Sequence, residues 1–132
     1  MDKSGKKIVS TDEAPEPIGP YSAGVRYGNM VFTAGQIGID PKSGEVVTGG
    51  IEAETRQVLK NLEAILKASG ASLGQVVKTT VFLRDLGDFS AMNAVYGEFF
   101  RDEPPARSTV EAGGLPKGVA VEIEAIAFVN RE

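Results

Sequence analysis

Residues 119–129, VAVEIEAIAFV, decide the fold of this chain. Their side chains form two alternating rows, as in a β-strand, where successive residues point to opposite faces of a sheet. One row is uniformly apolar and suits packing beneath helices: Val119, Val121, Ile123, Ala125, Ala127 and Val129. The other row mixes apolar groups with two carboxylates: Ala120, Glu122, Glu124, Ile126 and Phe128. The stretch therefore predicts a strand with one face in the core and a second face in a different environment.

Two amphipathic helices are predicted upstream of this strand. Between Ile51 and Ser69 apolar residues recur at helical spacing, and Gly70 suits the left-handed residue that ends a helix. Asp88 is the predicted N-cap of a second helix, which Pro104-Pro105 ends. The predicted buried stripe of this second helix consists of Phe89, Met92, Val95, Tyr96 and Phe99.

The rest of the chain predicts strands and turns. The predicted strands are Lys6–Thr11, Val25–Tyr27, Met30–Thr33, Gln75–Arg84, Ala106–Ala112 and Val119–Val129. Gly28-Asn29 favours a hairpin turn, the prolines of residues 13–21 require an extended segment, and residues 40–50 and 113–118 are turn-rich. The order predicts one α+β domain over residues 1–132, with a mixed sheet of about six strands and both helices on one face.

The opposite sheet face should lack cover from this chain. In the strand 75–84, Val77, Thr79, Val81 and Leu83 form the row expected under the helices. The other row, Lys78, Thr80, Phe82 and Arg84, joins the row of Glu122 on the second face. A face bearing Phe82, Ile126 and Phe128 is unusual for a monomer, and a subunit interface would accommodate it. The alternative is that Glu122 and Glu124 are solvated carboxylates on the wet side of an antiparallel sheet.

Composition narrows the chemistry. The 132 residues include no histidine and no cysteine, which excludes Ser-His-Asp and Cys-His catalysis and zinc sites that use these ligands. Acidic residues outnumber basic ones by 18 to 14, so a nucleic-acid partner is not expected. No apolar run has the length of a membrane span, and residues 1–10 lack the features of a secretory signal. We therefore expect a cytoplasmic protein without a membrane partner.

Few motifs point to chemistry. Neither GxGxxG nor GxxxxGK[ST] occurs, so nucleotide binding has no support. Glu122 and Glu124 have a spacing of about 7 Å that would suit a glycosidase, but so short a chain offers no long sugar cleft. Arg107 follows Pro104-Pro105-Ala106 at the start of a strand, where a stiff backbone can aim its guanidinium at a carboxylate. The alternative is an Arg that lies along the surface at a strand end.

Residues 105–123, PARSTVEAGGLPKGVAVEI, resemble the signature of the reactive intermediate deaminase family, also called the Rid or YjgF family. The signature consists of an Arg after Pro-Ala, a Gly-rich loop and a hydrophobic-Glu-Ile strand. Three further stretches agree with the family: IGPYSAGV from Ile18, GNMVFTAGQI from Gly28 and VVKTTVFLRDLGDFSAMNAVY from Val76. The resemblance extends over residues 14–127.

The resemblance implies a chorismate-mutase-like fold and a homotrimer with a central barrel-like cavity and active sites between subunits. It also implies hydrolysis of 2-enamino and 2-imino acids, such as 2-aminoacrylate, 2-iminopropanoate and 2-iminobutanoate, to 2-oxo acids and ammonia. No cofactor or metal is implied. Arg107 would hold the substrate carboxylate and Glu122 would position or activate water. Four further residues would line the cleft: Tyr21, Gly35, Asn93 and Thr109. Partial desolvation in the cleft should raise the pKa of Glu122.

The chain departs from many family members at Ala34, Thr109 and Gly114, where Ser, Cys and a larger residue are frequent, and these changes bear on substrate size. Family members have also been described as translation inhibitors with ribonuclease activity, as chaperones and as ligand-responsive regulators. A non-catalytic binding or regulatory role therefore stays open. A third alternative, a scaffold with an empty cleft, would require Arg107 to pair with an internal carboxylate such as Glu111.

Overall fold

The computed structural model describes residues 5–130. Residues 1–4 and 131–132 lie outside the described residues. The prediction of one domain over residues 1–132 includes both of these ends, and the prediction of no secretory signal over residues 1–10 includes the first. The elements are β1 Lys6–Val9, β2 Gly24–Tyr27, β3 Met30–Thr33, α1 Gly50–Ala68, β4 Val76–Leu83, α2 Phe89–Phe99, β5 Ala106–Glu111 and β6 Val121–Phe128. The predicted order of strands and helices is confirmed.

All six strands join one mixed sheet in the order β1-β2-β3-β6-β4-β5. The last strand in sequence, β6, lies between β3 and β4 and is antiparallel to both. Strands β4 and β5 are parallel, and α2 makes the crossover between them. β5 is therefore an edge strand that only β4 supports, whereas β6 is held from both sides.

Both helices cover one face of the sheet. The predicted apolar row of residues 119–129 is buried throughout, with 0 % exposure at Val121, Ile123 and Ala127. From Val121 onward the row packs in one cluster with Leu59, Leu62 and other apolar residues of α1 and α2, while Val119 packs with Ile37 and Ile39. We call the other side the open face. Sheet register assigns to it Phe32, Lys78, Thr80, Phe82, Ser108, Val110, Glu122, Glu124, Ile126 and Phe128. The expectation of a sheet with helices on one face only is confirmed.

The open face remains partly exposed in the single chain. Phe32 and Val110 are 43 % and 44 % exposed, and Glu124 is also exposed. These large apolar groups lie on the same face as the two carboxylates of β6, which is the mixture that the sequence predicted.

Two buried polar side chains of α1 fix the segments next to β6. The Asn61 amide donates to the carbonyl oxygens of Ile37 and Ile39 at 3.2 and 2.9 Å. A carboxylate oxygen of Glu54 accepts from the Ala120 backbone N–H at 2.9 Å. Because buried polar groups are costly unless they are bonded, these contacts favour one position for residues 37–39 and one start for β6.

The prediction that Val77 faces the helices was wrong. Val77 is 44 % exposed, whereas Val76 is 6 % exposed and lies in the core. The register of β4 against β6 shifts between Val76 and Lys78, where a bulge places two residues opposite one. Val76 therefore faces the core at the start of the strand in place of Val77. Thr79, Val81 and Leu83 are buried as predicted.

The start of α2 also differs from the prediction. Asp88 is at the N-cap position, but its side chain makes no capping hydrogen bond. A short 3₁₀ turn, Leu86–Asp88, precedes the helix, and Asp85 caps this turn by accepting from the Gly87 N–H at 2.8 Å. Phe89 was predicted to be buried and is instead 38 % exposed. The predicted helix-ending role of Gly70 agrees with its φ of 90°.

Candidate active site

Three of the residues predicted for the site line one small cavity. The cavity has a volume of about 60 Å³ and contains Tyr21, Gly35 and Glu122 in its wall. Its other lining residues come from the extended segment after β1, from residues 36–39 and from the turn before β6: Pro15, Glu16, Pro17, Ile18, Ala23, Gln36, Ile37, Ile39 and Pro116. We call this group the glutamate half-site.

A bulge brings Gly35 next to Glu122. Phe32 pairs with Ile126 and Gln36 pairs with Ile123, so one strand advances four residues while its partner advances three. Gln36 and Ile123 exchange backbone hydrogen bonds of 2.8 and 3.1 Å. A Cβ atom on Gly35 would lie 2.9 Å from Cδ and 3.0 Å from Cγ of Glu122. The glycine is therefore needed for the space that the glutamate side chain fills.

The environment of Glu122 changes its acidity. Burial raises the pKa of Glu122 above its usual range, and the negative charge of Glu124 raises it further. The expected direction of this pKa shift is confirmed. A carboxyl group with a raised pKa exchanges its proton closer to neutral pH than an ordinary glutamate does.

Arg107 lies at the start of β5, against α2. Its guanidinium carbon is 4.7 Å from the centre of the Tyr96 ring and 5.4 Å from the centre of the Phe89 ring. Phe89 and Tyr96 lie seven residues apart on α2, and Asn93 lies between them on the same helical face. We call Arg107, Phe89, Asn93 and Tyr96, together with Thr109, the arginine half-site.

Arg107 has no carboxylate partner within residues 5–130. The ion pair found there joins Arg56 to Glu98 at 2.8 Å. A carboxylate oxygen of Glu111 accepts from the Leu86 backbone N–H at 2.9 Å. The condition for a scaffold with an empty cleft, a pairing of Arg107 with Glu111, is therefore not met, and the guanidinium is stacked on rings rather than laid along the surface.

Thr109 follows Arg107 two residues later on the same side of β5. Its hydroxyl group is buried and has no hydrogen-bond partner among the described residues. A buried hydroxyl without a partner is costly, so a group that bonded to it would be favoured.

The two half-sites lie on opposite sides of the sheet. Arg107 is the cross-strand partner of Thr79, which is buried beneath α2. Glu122 is the partner of Phe82 on the open face. Since Thr79 and Phe82 are an odd number of residues apart on β4, they point to opposite faces. The six predicted site residues are therefore brought together in two groups and not in one.

Sequence reasoning did not place Phe89 and Tyr96 beside Arg107, because it assigned both rings to the core. Their spacing around Asn93 was the available signal, since residues at i, i+4 and i+7 share one face of a helix. Among residues 5–130, no group of three or more Asp and Glu side chains is arranged to hold a metal ion. No helix in this part of the chain is long and apolar enough to span a bilayer.

Comparison with known proteins gives consistent matches over nearly the whole chain. Residues 11–129 match the family described as Endoribonuclease L-PSP. A RutC family protein of Pyrococcus horikoshii is 55 % identical over 93 % of this chain and 98 % of its own length. The 2-iminobutanoate/2-iminopropanoate deaminase of Mus musculus is 48 % identical over 92 % of this chain and 90 % of its own. The crystal structure of E. coli TdcF with bound serine superposes on this chain with a TM-score of 0.89, covering 94 % of this chain and 99 % of that one, and the two sequences are 46 % identical.

Proposed function

The chain belongs to the Endoribonuclease L-PSP family, and from this premise we propose that it is a deaminase that hydrolyses 2-imino and 2-enamino acids. The products are a 2-oxo acid and ammonia, and the substrates include 2-aminoacrylate, 2-iminopropanoate and 2-iminobutanoate. The enzyme works as a homotrimer in which one subunit supplies Glu122 and its neighbour supplies Arg107. The mouse relative is named for this reaction, and the TdcF structure holds an amino acid.

The observation that supports the proposal is the incomplete state of each half-site. The arginine half-site holds a guanidinium without a carboxylate partner, and the glutamate half-site holds a carboxyl group with a raised pKa beside a small cavity. A 2-imino acid has a carboxylate for the first and an electrophilic C=N bond for the second. Because the two groups lie on opposite faces of one sheet, a second copy of the chain must complete the site.

The reaction needs orientation and proton transfer. Arg107 binds the substrate carboxylate through two parallel hydrogen bonds and thereby fixes the position of C2. Glu122 accepts a proton from water as the water oxygen bonds to C2 and the C=N π pair moves to nitrogen. Glu122 then returns the proton to nitrogen, which gives a carbinolamine. It next carries the hydroxyl proton to the same nitrogen, so that the C–N bond breaks, ammonia leaves and the C2 oxygen forms the carbonyl. The net change is imine plus water to ketone plus ammonia.

An enamine substrate requires one earlier step. A proton must be added to C3 of 2-aminoacrylate, where the C=C π pair forms the new C–H bond, while the nitrogen lone pair forms the C=N bond and nitrogen loses a proton. The raised pKa of Glu122 supports this role, because a larger fraction of the group is protonated at a given pH than in an ordinary glutamate. Imines also hydrolyse in water unaided, so the enzyme must meet them where amino-acid metabolism forms them, and a cytoplasmic location is part of the proposal.

RNA cleavage, which the family name suggests, has less support in this chain. The formal net charge of −4 would repel a phosphate backbone, and no histidine is present to transfer protons. The two half-sites offer a carboxylate-binding cation and a single acid/base group, which suit a small carboxylate substrate.

Mixing two inactive variants tests the function and the shared site together. Arg107→Ala lacks the carboxylate clamp, and Glu122→Gln keeps the shape of the side chain without its acid/base function. Each pure variant should form trimers and accelerate imine decay at least a hundredfold less than the unmodified enzyme. After the two are unfolded together and refolded, about a quarter of the sites should hold both intact residues, restoring about a quarter of the activity.

The substrate is generated in the assay by a dehydratase acting on serine or threonine, and decay of the imine is followed with and without the protein. Sedimentation confirms the mass of each assembly. Failure of the unmodified protein to accelerate imine decay would remove the proposed reaction. If the unmodified protein is fully active but the mixed trimers recover no activity, the site is not shared between subunits, although the proposed reaction still holds. An oligoribonucleotide incubated with each sample should stay intact.

A further inference from the structure

We propose that Phe89 and Tyr96 form an aromatic platform that fixes the guanidinium of Arg107, and that Thr79 fixes the platform. The three residues are positioning residues, since they act on the substrate through Arg107. The inference rests on the proposed function, in which Arg107 binds the substrate carboxylate.

The two rings contact the guanidinium through their faces, and the Tyr96 hydroxyl group adds a hydrogen-bonding interaction with it. The guanidinium carbon lies 4.7 Å from the Tyr96 ring centre and 5.4 Å from the Phe89 ring centre, within the range of cation–π attraction. The N–H donors of a guanidinium lie in its plane. Because a guanidinium has five such donors, an interaction with Tyr96 leaves others for paired hydrogen bonds to a carboxylate.

The Tyr96 ring is held by burial, by a hydrogen bond and by a second ring. It is 6 % exposed, its hydroxyl group is 2.7 Å from the Thr79 hydroxyl, and its ring centre is 4.7 Å from that of Phe100. Thr79 is fully buried and is the cross-strand partner of Arg107. The β4–β5 pair therefore holds Arg107 at its backbone and, through Thr79 and Tyr96, at its guanidinium as well.

The acidity of Tyr96 agrees with this arrangement. Burial raises the pKa of Tyr96 further above neutral pH, which agrees with a protonated hydroxyl group bonded to Thr79. The charge of Arg107 opposes this shift, as expected for a cation held close to the ring.

Support of this kind matters because β5 is an edge strand and Arg has a long, flexible side chain. Without the rings, the guanidinium must be ordered by the substrate itself, and this entropic cost weakens binding. The resulting loss appears in KM and in the inhibition constant Ki for a 2-oxo acid. Both constants are independent of the amount of active enzyme, so a variant that merely lowers the folded fraction leaves them unchanged.

The test compares Phe89→Leu and Tyr96→Leu with Phe99→Leu, a matched change on the same helix away from Arg107. We expect Ki for pyruvate and KM to rise about fivefold to thirtyfold in the first two, the range that cation–π contacts support, and less than twofold in the control. Tyr96→Phe keeps the ring and should recover most of the loss. Thr79→Val and Tyr96→Phe remove the same hydrogen bond. Ki for pyruvate in the double variant should therefore be no higher than in whichever single variant has the higher Ki.

A second readout does not depend on activity. The nitrogen-15 order parameter of the Arg107 Nε–H group, measured by NMR, should fall in Phe89→Leu and Tyr96→Leu and stay high in Phe99→Leu. If the unmodified protein neither hydrolyses imines nor binds pyruvate, the proposed function fails and the order parameter alone decides on the platform. Unchanged Ki in an active enzyme, or an unchanged order parameter in an inactive one, overturns the platform.

Discussion

The two half-sites hold their charged groups by different means. Glu122 belongs to β6, a central strand that hydrogen-bonds to β3 on one side and to β4 on the other. Its side chain packs closely against the backbone at Gly35, and this contact with the neighbouring strand restricts where the carboxylate lies. Arg107 belongs to the edge strand β5 and extends a long side chain across the face of α2, where two rings support it.

The difference shows which substitutions each half-site should tolerate. A group that the backbone positions is sensitive to added volume, because an added atom displaces a closely packed neighbour from its position. A group that stacking positions is sensitive to the shape of its own head group and to loss of the supporting rings. The glutamate half-site should therefore fail by crowding and the arginine half-site by loss of geometry.

Among conservative substitutions, the largest effect is expected when the shape of the arginine head group changes while its charge stays. Arg107→Lys replaces a planar fork by a single point charge, so the carboxylate loses its paired hydrogen bonds and C2 is misoriented relative to water. A charge-assisted hydrogen bond contributes about 1.5 to 3 kcal/mol, which predicts a fall in kcat/KM of about tenfold to hundredfold. Steady-state kinetics and pyruvate binding measure the loss.

Arg56→Lys is the matched control for this variant. Arg56 makes two hydrogen bonds to Glu98, at 2.8 and 3.3 Å, on the exposed side of the helices. Its replacement should leave kcat/KM unchanged. Retention of unmodified kcat/KM and pyruvate affinity in Arg107→Lys would mean that the substrate is anchored elsewhere.

Much of the fold followed from local patterns in the sequence. The alternation in residues 119–129 predicted the burial of β6, and the spacing of Gly70 after residues 51–69 predicted the end of α1. The position of Val77 was not predictable, because the bulge before Lys78 depends on how β4 pairs with β6 and leaves no local signal. Capping by Asp85 in place of Asp88 likewise depends on a 3₁₀ turn that periodicity does not show.

The sequence identified residues of the candidate site but did not predict where they lie relative to one another. Arg107 and Glu122 were named from the resemblance, yet their location on opposite faces follows only from the partners of Thr79 and Phe82. Tyr96 shows the limit most clearly. Its spacing on α2 is that of a core residue and it is indeed buried, but one face of its ring meets Arg107, and helical periodicity cannot distinguish that surface from the core.

An intermediate effect is expected from crowding of the glutamate half-site. Gly35→Ala places a methyl group within 3.0 Å of Glu122 side-chain carbon atoms, so the carboxylate must rotate away. We expect kcat to fall about tenfold or more, because a misplaced acid/base group transfers protons poorly. Gly97→Ala is the control, since nothing lies within 4 Å of the added Cβ. Unchanged kcat in Gly35→Ala would show that the exact position of Glu122 does not limit the reaction.

The smallest effect concerns the charge next to Glu122. Burial is the main cause of the raised pKa of Glu122, and Glu124 adds to it from the exposed side of β6. Glu124→Gln removes that contribution, so the pKa of Glu122 should fall while remaining above its usual value. Ionised Glu122 is the proton acceptor in the proposed reaction, and activity is lost as pH falls through its pKa. The acid limb of the kcat/KM profile should therefore move to lower pH in Glu124→Gln, with the plateau unchanged.

Stability should follow the same change with a defined sign. A carboxyl group whose pKa is raised by folding favours the folded state at a pH below its unfolded pKa, and this contribution is lost as pH rises through the folded pKa. In Glu124→Gln the folded pKa of Glu122 is lower, so its stabilising contribution should be lost completely at a lower pH. Melting temperatures measured at successive pH values should therefore fall over a narrower pH range than in the unmodified protein. High salt should weaken the difference between the two proteins, because it screens charges that are partly exposed. The control is Glu63→Gln, on the exposed side of α1 across the sheet, which should shift neither the kcat/KM profile nor the stability profile. An acid limb that does not move in Glu124→Gln would assign the raised pKa of Glu122 to burial alone.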